Sequence, residues 1–97
     1  MGEDEQRLIA ELHAELAKVS VIDFLLQTLH SIAMLAYQRL GGEGRDLVQA
    51  KLAIDALQTL VPVLEGSAPE EAMRDFGQVL ASLQLAYATA VSEDSEA

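Results

Sequence analysis

Asp23, Gln27 and His30 are the residues of this chain whose types and spacing come nearest to chemistry. At about 100° per residue they fall on one stripe of a helix. A carboxylate and an imidazole so placed could hold a metal ion or relay a proton. A di-iron bundle, however, needs Glu-x-x-His pairs and carboxylates from other helices, and Gln27 stands where that Glu would be. Asp23 suits a different task near a helix N-terminus. The expectation is a partly buried His30 with a hydrogen-bonding neighbour. Asp55 and Tyr37 are the other candidate buried polar groups. Asp55 follows Lys51 by one helical turn, so it either pairs with it on the surface or reaches His30 or Tyr37 and fixes helix register.

The remaining polar residues make no catalytic constellation. Gly41, Gly42 and Gly44 are followed by no Gly-Lys-Ser/Thr, and Glu43 would repel a phosphate. No serine sits in a nucleophile elbow. His13 lies in an acidic helix and reads as a surface residue. Tyr37 and Tyr87 are expected to pack with their hydroxyls at the rim of a core. Nothing brings a nucleophile, a base and an orienting group together. The expectation is a protein that is not an enzyme and needs no cofactor or metal.

The elements that would position these residues are all helical. The first is predicted from about Asp4 to Lys18, with Leu8, Leu12, Leu16 and Val19 on one side. Ser20 followed by Asp23 resembles a capping box, so a second helix begins near Val21, unless the first continues through. That helix ends at Leu40, where Gly41 and Gly42 offer the left-handed conformation that closes a helix. Asp46 is a fitting N-cap for a third helix carrying Leu47, Ala50, Ile54, Leu57, Val61 and Leu64. Pro62 removes a backbone donor and crowds the carbonyl of Gln58, so the helix kinks or ends there. After Gly66, Ser67-Ala68-Pro69-Glu70 reads as a capping box with proline in the first turn. The fourth helix runs to about Val91 and buries Met73, Phe76, Leu80, Leu83 and Tyr87. Gly77 within it suggests a close backbone approach. The predicted fold is all-α, a single domain over 1–97: an N-terminal amphipathic helix over 1–19, a helical core over 20–91 and a flexible acidic tail over 92–97.

Composition bounds the role. The 97 residues carry 16 acids against 6 bases, a net charge of −10, and no cysteine. Arg7, Lys18, Arg39, Arg45, Lys51 and Arg74 are scattered, and no stripe of them could track a phosphate backbone, so nucleic acid is not an expected partner. The acidic start is unlike a signal peptide, and Gln6 stands where a myristoylation motif would want Ser or Thr. The expected setting is cytoplasmic. Polar residues interrupt Val21–Leu40 too often for a membrane span.

Apolar residues make up 51% of the chain. A domain of this size buries only roughly 60–65% of the surface its unfolded chain exposes. The second helix keeps Ile22, Leu25, Leu26, Leu29, Ala33, Ala36 and Leu40 on its main stripe. Its far side holds Phe24, Thr28, Ser31 and Leu35, with Val21 at the margin. The third helix likewise places Val48, Leu52, Ala56 and Val63 away from its seam. Val21, Phe24, Thr28, Ser31, Leu35, Val48 and Leu52 are therefore the candidate interface. The predicted function is a non-enzymatic, self-associating interaction protein, a homo-oligomer with a dimer favoured. One alternative is an adaptor whose apolar groove receives an amphipathic helix of another protein. A further one is a small-molecule binder with a cavity near His30 and Tyr37.

From Phe24 to Tyr87 the order of features is distinctive. Leu40-Gly41 ends one helix; Ala50-Lys51, Ile54-Asp55, Leu57 and Leu60 build the next. A Gly66 turn leads to Glu70-Glu71, and Leu80, Leu83 and Tyr87 finish the last. In these features the chain resembles a small helical bacterial family catalogued as domain of unknown function 1844, departing from it at Pro62 and Ser67-Ala68-Pro69. The resemblance implies a soluble helical bacterial protein and brings no activity, substrate or catalytic residue.

Overall fold

The structure, a computed structural model, describes residues 2–96. Met1 and Ala97, the last residue of the expected tail, lie outside the described residues. Four α-helices and no strand occur among the described residues. They are α1 (Glu3–Ala17), α2 (Val21–Leu40), α3 (Leu47–Leu60) and α4 (Glu70–Glu96), with 3-10 turns at Gly42–Gly44 and Val61–Leu64.

Local chemistry accounts for most boundaries. The Ser20 hydroxyl accepts the Asp23 N–H at 3.4 Å and caps α2, and Asp46 Oδ1 accepts the Gln49 N–H at 3.1 Å and caps α3. Gly41 closes α2 in an extended conformation, and it is Gly42 that takes positive φ, at +39°. The α-helical ladder of α3 stops at Leu60 because Pro62 has no N–H to donate, and the chain tightens into a 3-10 turn over Val61–Leu64. Gly66, at φ +84°, then reverses the chain. The expected Ser67–Glu70 capping box is not among the described hydrogen bonds. The Ser67 N–H instead donates to the Leu64 carbonyl at 3.0 Å, and Pro69 precedes the helix, its carbonyl accepting the Met73 N–H.

Helices α2, α3 and α4 run up, down and up around one core. Leu29, Leu57, Leu64 and Leu83 are its largest fully buried side chains, and Ala33, Ala36, Ala50 and Ala90 let the helix backbones approach between them. These are the stripes that the helical period predicts. Gly77 departs from expectation: a β-carbon there would meet nothing within 4 Å, so no backbone closes on it. It lies on an exposed turn of α4.

Helix α1 stands apart from this core. It buries no residue, no other helix packs along it, and it meets α2 at an 85° bend. The break at Lys18–Ser20 is a structured elbow in which the Lys18 and Val19 N–H groups donate back to the Glu15 and Leu16 carbonyls. The consequence is an elongated molecule. Its radius of gyration is 18.3 Å, against about 12.5 Å for a compact domain of this length.

Candidate interaction surface

Polar residues do not build a site inside this fold. No polar or charged residue is buried among those described. His30, Asp55 and Tyr37, expected to be partly buried, are all exposed, which corrects that expectation. The physical reason is common to the three. His30 follows the buried Leu29, Tyr37 follows Ala36 and Asp55 follows Ile54. One step along a helix turns a side chain by about 100°, enough to carry each out of a narrow seam. Asp55 instead accepts from Lys51 Nζ at 2.8 Å on the same helix. That hydrogen bond, with the attraction of the carboxylate, raises the Lys51 ammonium above its ordinary value. No three His, Cys, Asp or Glu side chains converge among the described residues in a way that could hold a metal ion.

Of the open grooves along α2, two bear on the expected sites. One, of about 570 Å³, lies between α2 and α4, with Leu26, Phe76 and Val79 below and Gln27, His30 and Asp75 at its polar edge. Tyr37 is not part of its lining, so the expected His30–Tyr37 cavity is not formed there. The other, of about 260 Å³, lies between α2 and α3 on the side away from α4. It is lined by Ile32, Leu35, Arg39, Gln49, Leu52 and Ala53.

This second groove runs along the face that carries the candidate interface. Val21 is 75% exposed, Phe24 60%, Leu35 51%, Val48 78% and Leu52 64%. Ser31 is exposed and Thr28 half-buried. The Thr28 hydroxyl donates to the Phe24 carbonyl at 2.9 Å and the Thr59 hydroxyl to the Asp55 carbonyl at 2.9 Å. Each donor is thus spent within its own helix, and the face is left apolar. Val63, 68% exposed, extends it past Pro62.

Charge on this surface is sparse. Within α2 the only acid is Asp23, turned about 100° from Phe24. Within α3 the only acid is Asp55, which lies beside Val48 and Leu52 and pairs with Lys51 at 2.8 Å. The groove between α2 and α3 has Arg39 in its lining. In a chain with 16 acids, this face carries Asp55 in a pair with Lys51 and is otherwise largely apolar.

A second feature was not legible from the local sequence. Arg45, between α2 and α3, donates through Nε to the Leu40 carbonyl at 3.2 Å, through Nη1 to Asp94 at 2.9 Å and through Nη2 to Glu93 at 3.2 Å. It ties off the end of α2 and holds the last turns of α4. The helix accordingly continues to Glu96 instead of ending near Val91 in a flexible tail. The hydrogen bond to Asp94, then that to Glu93, raises the Arg45 guanidinium above its ordinary value. The signal was topological: an up-down-up order brings the α2–α3 loop and the α4 C-terminus to one end of the bundle.

By length and composition alone, Leu47–Leu64 is apolar enough to cross a membrane, and α1 with α2 passes the same test as a bent pair. Within this fold the buried side of Leu47–Leu64 is the core seam on α2 and α4. Compared with known proteins, the chain matches no family model, no curated protein and no solved structure.

Proposed function

We propose that this protein is a self-associating helical interaction module, and that the outer face of α2 and α3 is where a second copy binds. The observation that carries this reading is the joint exposure of Val21, Phe24, Leu35, Val48 and Leu52 on the outer side of α2 and α3. Burying one such side chain fully stabilises by roughly 1.5–3 kcal/mol. Five of them left more than half in water forgo a sum comparable to the low end of a small domain's stability, about 5 kcal/mol.

A two-fold dimer is the simplest closed arrangement that covers such a face, because one self-complementary contact serves both subunits. Its function would be assembly rather than catalysis. Light scattering coupled to size-exclusion chromatography tests the reading. The expected mass is about twice 10.5 kDa at micromolar concentration. A mass near 10.5 kDa at every concentration would overturn it. If that monomer retained one stoichiometric protein partner on the same face, the adaptor reading would take its place.

A further inference from the structure

Two apolar surfaces of this chain lack a partner within it, the outer face of α2 and α3 and the stripe of α1. We propose that they cover each other between two copies: α1 is an arm that lies on the outer face of the partner subunit. This rests on the self-association proposed above and names what the second copy contributes.

The stripe of α1 comprises Leu8, Ile9, Leu12 and Leu16, continued by Val19 at the elbow, each between 41% and 69% exposed. A lone amphipathic helix of this length is marginal in water and draws its stability from packing its apolar side. The dimensions agree. Helix α1 has 15 residues, about 22 Å, and Val21 to Leu35 on the outer face spans the same number.

Charge selects this face over the other groove. Glu3–Ala17 carries five acids against the single base Arg7. The groove between α2 and α4 presents Asp75 to such a helix, whereas the outer face has Arg39 at its rim and its one α3 acid, Asp55, is offset by Lys51 at 2.8 Å. Like charges brought together at a contact are unfavourable, so the acidic arm is steered to the outer face.

Area favours an arm over two outer faces meeting directly. Taking a fully exposed side chain of this size as roughly 100 Å² of apolar surface, face on face covers about 800 Å². That arrangement leaves both α1 stripes in water. Two exchanged arms cover about 1,300 Å² by the same measure.

The elbow favours a partner's face over the chain's own. Closing α1 onto its own hairpin would sharpen the 85° bend toward a full reversal and disturb the hydrogen bonds at Lys18, Val19 and the Ser20 cap. Exchange keeps the elbow as it stands, and a reciprocal two-fold contact closes the assembly.

Since the chain has no cysteine, directed cross-linking tests the proposal in the full-length protein. Leu12→Cys and Ala56→Cys chains are mixed in equal amounts and oxidised with glutathione disulfide, and products are read on a non-reducing gel. The expected product joins one chain of each type, at about twice 10.5 kDa. Leu12→Glu, which removes an arm contact and touches no core residue, should weaken dimerisation at least tenfold with the helical circular dichroism of α2–α4 retained. Preferential joining of Ala56→Cys to itself would overturn the arm in favour of face-on-face contact. A within-chain link in the double variant would overturn it in favour of self-closure. A dimer that neither forms the mixed product nor responds to Leu12→Glu would refute the arm alone, whereas a monomer at all concentrations would refute the self-association beneath it.

Discussion

Phe24→Glu places a carboxylate on the outer face at a residue that is 60% exposed in the isolated chain. Within one chain the loss is the buried remainder of the ring. Two-fifths of the roughly 1.5–3 kcal/mol for full burial is about 1 kcal/mol. Part is returned, because glutamate is a better helix former than phenylalanine and stands here in the first turn of α2, where the helix dipole favours an acid. The monomer should therefore lose under ~1 kcal/mol, a fall in Tm of no more than about 4–8 °C. In the dimer each copy forgoes the other three-fifths, about 1–2 kcal/mol, and must bury or displace a carboxylate, which costs several kcal/mol more. Taken over two copies, even about 4 kcal/mol weakens the dimer roughly 1,000-fold. Leu85→Glu is the control, since Leu85 is 70% exposed on α4, away from this face. Sedimentation velocity at matched concentration reads the result. The expected outcome is a dimer for the parent and Leu85→Glu and a monomer for Phe24→Glu. Equal sedimentation of all three would refute the reasoning, as would a Phe24→Glu chain that is unfolded when monomeric.

Four further substitutions test the fold that carries this face. Leu83→Ala, at a fully buried position, should cost ~2–5 kcal/mol in urea unfolding; a loss below 1 kcal/mol would mean the α4 seam is not packed as described. Gly77→Ala should stabilise by about 0.5–1 kcal/mol, because the β-carbon meets open space on an exposed helical turn. Gly66→Ala should destabilise by about 1–2 kcal/mol, because φ there is +84°, and calorimetry on the pair checks both signs. Arg45→Ala should release the last turns of α4 and speed amide exchange over residues 91–96 with the mass unchanged. The pairing raises the Arg45 guanidinium above its ordinary value. Its contribution is therefore complete below that value and is lost only as pH rises through the still higher folded one. Between pH 7 and 10 the protection should hold constant, and a progressive loss across that window would contradict the assignment.

Much of the architecture was legible because its causes are local. Ser20 and Asp46 mark helix starts by offering side-chain acceptors, Pro62 marks a stop by lacking a donor, and a period of about 3.6 residues separates Leu29, Ala33 and Ala36 from Phe24 and Leu35. The exposure of Phe24, Leu35, Val48 and Leu52 followed from the same periodicity. What escaped depends on distances along the chain or on finer angles. How far a seam extends around a helix decides whether His30, Tyr37 and Asp55 are covered, and periodicity alone does not fix that width. The extension of α4 through Glu93 and Asp94 depends on Arg45, which lies 48 and 49 positions earlier. The direction of α1 is set at Lys18–Ser20, where residue types mark a break without specifying its angle.

Sedimentation equilibrium of the unmodified chain from nanomolar to high micromolar concentration tests the central claim most directly. A reversible rise from 10.5 kDa to twice that mass is the result expected of two copies that each cover the other's apolar face. A single species of 10.5 kDa throughout, with Phe24, Leu35 and Leu52 remaining open to solvent labelling, would contradict it.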